Sequence, residues 1–319
     1  MDRLRAFEIF TTVVARGGFA RAADALGTSP ANVSRYVSDL ETHLGARLLQ
    51  RTSRRLALTE AGQIFHDRAR SILDEVAEAE ALAAAGTAQA RGRLRINVPT
   101  SFGILHLAPL WPRFLARYPD VDLDVSLGDR VVDLVEEGYD LAVRISRAGS
   151  PTQVARKLAT SRNVVCASPA YLARHGHPAS PDELSRHTSI AYSYALMADE
   201  WHLTDDAGRV HVARPRATMR TNNGDTARAA ALAGHGIIWQ PTFLIGPDLR
   251  AGRLVALLPG HRLPDIDVLA VYPSRRHTSA RVRAMVDFLV EAFRGVTPWE
   301  REPDEAPAQP PRKKPRERR

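Results

Sequence analysis

The stretch 29-SPANVSRYVSDLETHLG-45 decides how the N-terminal part of the chain folds. Its apolar residues Val33, Val37, Leu40 and Leu44 recur at i, i+4, i+7 and i+11, one stripe of an α-helix. Ser29 suits the N-cap, Pro30 the first turn and Gly45 the C-terminal stop. The side that remains, Asn32, Ser34, Arg35 and Ser38, carries short hydrogen-bonding groups and an arginine where a solvent face usually carries Glu and Lys. Any one of these positions alone reads equally as a solvated helix residue. As a set near a helix start they are short enough to fit a groove.

Upstream, Leu4, Phe7, Phe10 and Val14 are spaced for a first helix that Gly17 and Gly18 end. A short helix 19-FARAADALG-27 follows, with Phe19, Ala22, Ala23 and Leu26 inward, and Gly27-Thr28 turn into the stretch above. A short helix, a tight turn and a capped second helix form the helix-turn-helix pattern. Downstream, 46-ARLLQRTSRRLALT-59 places leucine pairs on either side of Thr52-Ser53-Arg54-Arg55, which reads as a two-stranded wing with a basic tip. Residues 1–58 hold nine Arg (3, 5, 16, 21, 35, 47, 51, 54, 55) against five acids (2, 8, 24, 39, 41), so this part is net positive.

Thr59 can cap a helix over 60–85, about 40 Å long at 1.5 Å per residue, whose apolar residues include Ile64, Phe65, Ile72, Val76 and Ala83. A lone helix of this length needs a partner: a second copy of itself, or its own domain if it folds back. Residues 86–93 read as a linker. From Leu94 strands and helices alternate, as in an α/β fold with a largely parallel sheet. The expected strands are 94–98, 121–127, 139–145, 163–168, 217–221, 236–240 and 266–273, and the expected helices 104–119, 130–138, 169–176, 224–234 and 278–293. The Pro-rich, charged end 298–319 reads as a disordered basic tail.

The chain has 319 residues, 44% hydrophobic and 25% charged, which points to two or three soluble domains. Its net charge of +8 favours a polyanionic partner. One cysteine, Cys166, rules out an intramolecular disulfide and a cysteine metal cluster. The start MDRLRAFEIF is not a signal peptide and no apolar run spans a bilayer, so a cytoplasmic protein without membrane association is expected. The eleven histidines show no HxxxH or HExxH spacing, no GxSxG or Walker-type loop occurs, and the G-x-G at Gly234–Gly236 lacks a third glycine. Neither catalysis nor a cofactor or metal is expected.

In order of parts the sequence resembles the LysR-type transcriptional regulators. The resemblance rests on 19-FARAADALGTSPANVSRYVSDLETHLGARLLQRTSRRLALTEAG-62, and further on YDLAVRI (139–145), ASPAYLARHGHP (167–178) and AGHGIIWQP (233–241). It covers about residues 1–295. It implies an α/β protein with an N-terminal all-α winged helix-turn-helix, a long linker helix and a periplasmic-binding-protein-like effector domain of two α/β subdomains. The expected layout is a DNA-binding domain at 1–58, a dimerising linker helix at 59–85 and a hinge at 86–93. The effector domain follows at 94–297, divided into subdomain I (94–162 and 268–297) and subdomain II (163–267), and then the tail. The implied partners are double-stranded DNA at promoter inverted repeats, a small-molecule effector, and further copies of the chain. The long helix accounts for a homodimer, and the resemblance extends this to a homotetramer.

On this reading Ser29, Pro30, Asn32, Ser34 and Arg35 face bases or nearby backbone. Arg51, Arg54 and Arg55 meet phosphates or the minor groove, unless the turn is merely solubilising. Ligands of open α/β sheets bind beyond the carboxyl ends of strands. Thr100, Ser101 and Phe102, then Arg144, then Asn222 and Asn223 stand at three such ends, and their chemistry suits an anionic or aromatic-acid effector. The alternatives stay open: Thr100, Ser101 and Asn222 as plain helix caps, and Arg144 held by an internal carboxylate. The competing function is a solute-binding or enzymatic α/β domain with an accessory DNA-binding module.

Overall fold

The structure, a computed structural model, describes residues 2–51, 56–85, 89–146, 153–194, 200–273, 278–295, 297 and 299–300, without the side chains of 51, 78, 81–85 and 153. Three helices open the chain: α1 (Arg3–Arg16), α2 (Phe19–Ala25) and α3 (Pro30–Leu44). Asp2 and Ser29 cap α1 and α3, and Gly17 and Gly45 end them with φ of 65° each. Val33, Val37 and Leu40 of α3 are fully buried against Ile9, Phe10 and Val13 of α1, each worth about 2 kcal/mol on burial. Leu44, expected on the same stripe, is 40% exposed because α3 ends there and Gly45 turns the chain away. In α1 the buried set is Ala6, Ile9, Phe10 and Val13, with Leu4 43% exposed. The inward face is rotated from the expected one because α1 packs against α2, α3 and the later helix α4 at once.

The wing forms as β1 (Leu49–Arg51) and β2 (Leu56–Leu58), antiparallel, with Leu49 opposite Leu58. Glu41 of α3 accepts from the amides of Leu48 (2.8 Å) and Leu49 (3.1 Å), tying the wing to the end of α3. Thr59 caps α4 (Glu60–Ala85) by accepting from Gly62 N at 2.9 Å. Phe65 of α4 meets Phe7 edge-on at 5.2 Å, so the long helix starts as part of the N-terminal core.

From Gly92 the chain runs β3 (Gly92–Val98), α5 (Thr100–Phe102), α6 (Trp111–Arg117), β4 (Val121–Leu127), β5 (Leu141–Ser146) and β6 (Gln153–Ser161). It crosses at Arg162 into β7 (Asn163–Ala167), α7 (Pro169–His175), β8 (Thr188–Tyr192), β9 (Trp201–Asp205), β10 (Val210–Ala213) and β11 (Arg216–Thr221). Then come α8 (Gly224–Leu232), β12 (Ile238–Pro241), α9 (Thr242–Arg250), β13 (Val255–Ala256) and β14 (His261–Arg262), before the chain returns through β15 (Ile266–Pro273) and α10 (Ala280–Ala292). The first subdomain is a five-stranded sheet in the order β4-β3-β5-β15-β6. The second holds β12-β7-β13 and the parallel pair β11-β8, bridged at Ser189–Ile237, with β10-β9-β14 beside them.

Three expectations need correction. The sheet is mixed: β3 runs parallel to β4 and β5, but β15 runs antiparallel to β5 and β6. The cause is the double crossing, since β6 leaves the first subdomain and β15, its neighbour, returns. Residues 130–138 form a turn and no helix, because the Asp133 carboxylate takes the amides of Val135 and Glu136 at 2.9 Å each. The helical path expected at 104–119 starts at Thr100 and changes pitch, widening over Gly103–Leu107 and tightening over Ala108–Leu110. Pro109 and Pro112 remove amide donors there.

The main core continues from Leu94, Ile96 and Val98 across the crossing to Cys166, Ile190 and Phe243. Trp299, placed by the sequence in a disordered tail, is 3% exposed and belongs to this core, within 5.6 Å of Phe102 and 4.6 Å of His106 between ring centroids. Its indole Nε1 donates to Thr160 O at 3.2 Å. Glu300 accepts from Arg162 N (3.0 Å), Arg162 Nε (2.6 Å) and the hydroxyl of Thr242.

Candidate nucleic-acid interface and ligand cleft

At the start of α3, Ser29 Oγ accepts from Asn32 N at 3.2 Å. Asn32 is held at both ends of its amide: its Nδ2 donates to Thr28 Oγ1 (2.9 Å) and its Oδ1 accepts from Arg35 Nη2 (2.8 Å), which leaves one N–H and one lone pair free of these two bonds. Ser29, Pro30 and Arg35 are exposed, and Asn32 and Ser34 half-buried. The five residues therefore lie together at the first turns of one helix, with the Arg35 guanidinium held by Asn32 rather than swinging free. Thr28, read from the sequence only as part of a turn, is the residue that orients the Asn32 amide. Of the wing arginines, Arg51 ends β1 with its side chain outside the described residues, and Arg54 and Arg55 lie outside them altogether.

The six ligand candidates do not form one group. Thr100, Ser101 and Asn223 converge on two carboxylates that the sequence reading had not singled out. Asp129 accepts from Thr100 N at 2.9 Å and, across the gap between subdomains, from Asn223 Nδ2 at 3.3 Å. Asp225 accepts from the Ser101 hydroxyl at 2.6 Å, a second contact between subdomains. Asn223 also caps α8 by accepting from Thr226 N at 3.0 Å. Asn222 stands nearby and donates to the Tyr194 hydroxyl at 3.3 Å. Tyr192 completes this wall, and its burial, together with the nearby Asp129 charge, pushes its phenol up to about 12. Tyr192 and Tyr194 meet edge-on at 6.0 Å.

Phe102 is not a lining residue: it is fully buried among Phe243, Phe293 and Trp299. Arg144 is also separate. It donates to Asn97 Oδ1 at 2.6 Å, so an internal carboxamide holds it where a carboxylate was the stated alternative. Burial pulls its pKa below the usual guanidinium value, with Glu137 and Arg130 its nearby charges. Its Nη2 is buried without a hydrogen-bond partner among the described residues. Asp129 was legible in principle, since it lies just past the carboxyl end of β4, the kind of position where sheet ligands bind.

Behind the cleft, residues 129–138 form a closed loop. Arg130 reaches Glu137 with two bonds of 3.1 and 2.7 Å, and Glu137 accepts from Asp133 N at 3.1 Å. Arg68 of α4 donates from Nη2 to Val135 O (2.7 Å) and Glu136 O (2.8 Å). Asp67 and Arg70, beside it, lie 3.5 Å from Arg93 and 3.8 Å from Asp122.

A capped helix-turn-helix with a wing, joined by a long helix to a two-lobed α/β domain whose lobes meet through polar contacts, defines a DNA-binding regulator with a ligand-sensing domain. The family models described as "Bacterial regulatory helix-turn-helix protein, lysR family" and "LysR substrate binding domain" match residues 4–63 and 87–294. The chain is 39% identical over 286 residues to an HTH-type transcriptional regulator of Xanthomonas campestris pv. campestris, covering 88% of this chain and 83% of that one. It is 38% identical over 295 residues to an HTH-type transcriptional repressor of Pseudomonas aeruginosa, covering 92% and 93%. The solved structure of CrgA, a LysR-type transcriptional regulator from Neisseria meningitidis, matches with a TM-score of 0.58 and 34% identity over 91% of this chain and 99% of that one. The chain belongs to the LysR-type transcriptional regulators. Among the described residues no helix is long and apolar enough to cross a membrane.

Proposed function

We propose that this regulator pairs through α4, reads one half of an inverted repeat with each α3, and changes its DNA binding when a small molecule occupies the cleft between the subdomains. The array of Ser29, Asn32 and Arg35 carries the DNA reading. A guanidinium held in place by a neighbouring carboxamide loses less rotational freedom on contact, and Arg and Asn are the side chains that pair with guanine and adenine edges. Arg51, Arg54 and Arg55 add phosphate or minor-groove contact on sequence grounds. The pairing is supported by Ile64 and Ile72, 62% and 40% exposed on α4 of the single chain.

For the effector we infer a small anion, with an aromatic acid the best fit. The chain's own Asp129 carboxylate already sits where Thr100 N and Asn223 Nδ2 converge, so the position suits a carboxylate, and an incoming acid would compete with Asp129 for it. Tyr192 and Tyr194 offer ring faces beside it. Calorimetry with a series of aromatic carboxylic acids and neutral analogues tests this, and binding by neutral compounds alone would overturn it. The regulator reading is tested by titrating the full-length protein against DNA from upstream of its own gene, with scrambled DNA as control, over a salt series. Sequence-preferring binding with a footprint longer than one helix-turn-helix site is expected. Absence of binding even at low salt would remove α3 from the DNA interface.

A further inference from the structure

Residues 129–138 touch the cleft at one end and α4 at the other. At the cleft end Asp129 holds Asn223 of the opposite subdomain (3.3 Å). Arg130–Glu137 and the Asp133 turn then close the segment on itself, so it moves as a piece rather than bending residue by residue. At the far end the carbonyls of Val135 and Glu136 are the two acceptors of Arg68. Arg95 holds the same piece from the sheet, donating to Gly138 O at 3.2 Å and lying 5.2 Å from the centre of the Tyr139 ring. The same cross-linked loop thus contacts both Asn223 of the opposite subdomain and the helix that leads to the DNA-binding domain.

We propose that residues 129–138 are the coupling element through which the state of the cleft sets the hold on α4, and through α4 the placement of α3. The proposal rests on the reading that the effector acts at the cleft. It requires a contiguous element whose position both ends bias, and that requirement can be checked by a mutant cycle.

The test uses the full-length protein without ligand. Asp129→Asn keeps an acceptor for Thr100 N but presents an N–H to Asn223 where an acceptor stood. Arg68→Ala removes the grip of α4 on the loop. Amide hydrogen exchange is followed at residues 64–72 in the wild type, each single variant and the double variant. Asp129→Asn is expected to speed exchange at 64–72 by about fivefold or more, the lower end of ordinary allosteric coupling, and to add nothing once Arg68 is Ala. Arg130→Gln, which opens the loop between its two ends, is expected to do the same as Asp129→Asn and guards against a defect peculiar to position 129. Unchanged exchange at 64–72 in both cleft-side variants, or an undiminished Asp129→Asn effect over Arg68→Ala, would overturn the coupling. Because no ligand is used, this result is separate from the effector reading. That reading fails instead if an acid found by calorimetry binds Ser101→Ala and Asp129→Asn proteins as it binds the wild type.

Discussion

On the proposed reading Arg35 is the side chain on which sequence choice by α3 turns, and Asn32, whose Oδ1 accepts from it, decides how it is presented. Arg35→Ala is expected to cost about 1–3 kcal/mol at one base pair and to relax preference there, whereas equal loss on all sequences would reassign it to phosphate. Competition assays with singly substituted operator DNA separate the two outcomes. Gly62 is a different kind of single-residue constraint. A Cβ built there would lie 1.9 Å from Leu48 O, because α4 begins directly against the wing. Gly62→Ala is therefore expected to destabilise the N-terminal domain by about 3 kcal/mol, read as a lower denaturant midpoint and weaker DNA binding together. Cys166, fully buried, has its thiol pushed up by burial and is no candidate for a reactive cysteine.

At the scale of elements, α4 presents two different faces. Phe65, His66 and Ala69 pack inward, while Ile64 and Ile72 stay exposed in the single chain. Ile72→Asp should shift the assembly towards monomer, and sedimentation velocity reads this directly; an unchanged assembly would place the pairing surface elsewhere. In the second subdomain α8 and α9 are joined by Asp248, fully buried, which accepts from Arg228 and from Arg253 (2.7–2.8 Å). Burial alone would raise the Asp248 pKa, but the hydrogen bonds from Arg228 and Arg253 outweigh it and hold it below the usual carboxylate range. A depressed folded-state pKa contributes stability above the unfolded value, near 4 for Asp, and that stability is lost as pH falls through the folded value. Asp248→Asn should accordingly be destabilised at neutral pH by about 3 kcal/mol, and the gap to wild type should narrow below about pH 4. Urea titrations at the two pH values check the sign.

At the scale of the whole molecule, the two subdomains are joined by crossing strands, and the segment after α10 ties the first crossing to the start of α9. Trp299 is anchored to Thr160 on the first-subdomain side, and Glu300 to Arg162 at the crossing and Thr242 at the start of α9. Trp299→Ala is expected to cost about 3–5 kcal/mol, and Glu300→Ala to leave the core intact while speeding exchange at the Arg162 amide. A Trp299→Ala melt unchanged from wild type would show that the residue only rests on the surface. The family match ends at residue 294, so this tie lies beyond the part shared with the family model.

Local chemistry in the sequence was sufficient for the helix-turn-helix, the wing and seven strands of the two-lobed domain, whereas β6, β8, β9, β10, β13 and β14 and the order of the strands in the sheets came only with the fold. Caps, glycine stops and periodicities of 3.6 and 2 act over a few residues, and Ser29, Pro30 and Gly45 bound α3 as they do in any helix. Contacts between distant segments were decided only by the tertiary structure. Asp129 and Asp225 meet Thr100, Asn223 and Ser101 over separations of 29 to 124 residues, and nothing near any of them in the chain announces the partner. Arg144 and Phe102 had suitable chemistry and position in the chain, yet one turned to Asn97 and the other into the aromatic core. Trp299 looked like tail because its neighbours are charged and proline-rich, and only the rings of Phe102, His106, Phe243 and Phe293, brought together by the fold, give one indole in such a segment enough buried surface to be held.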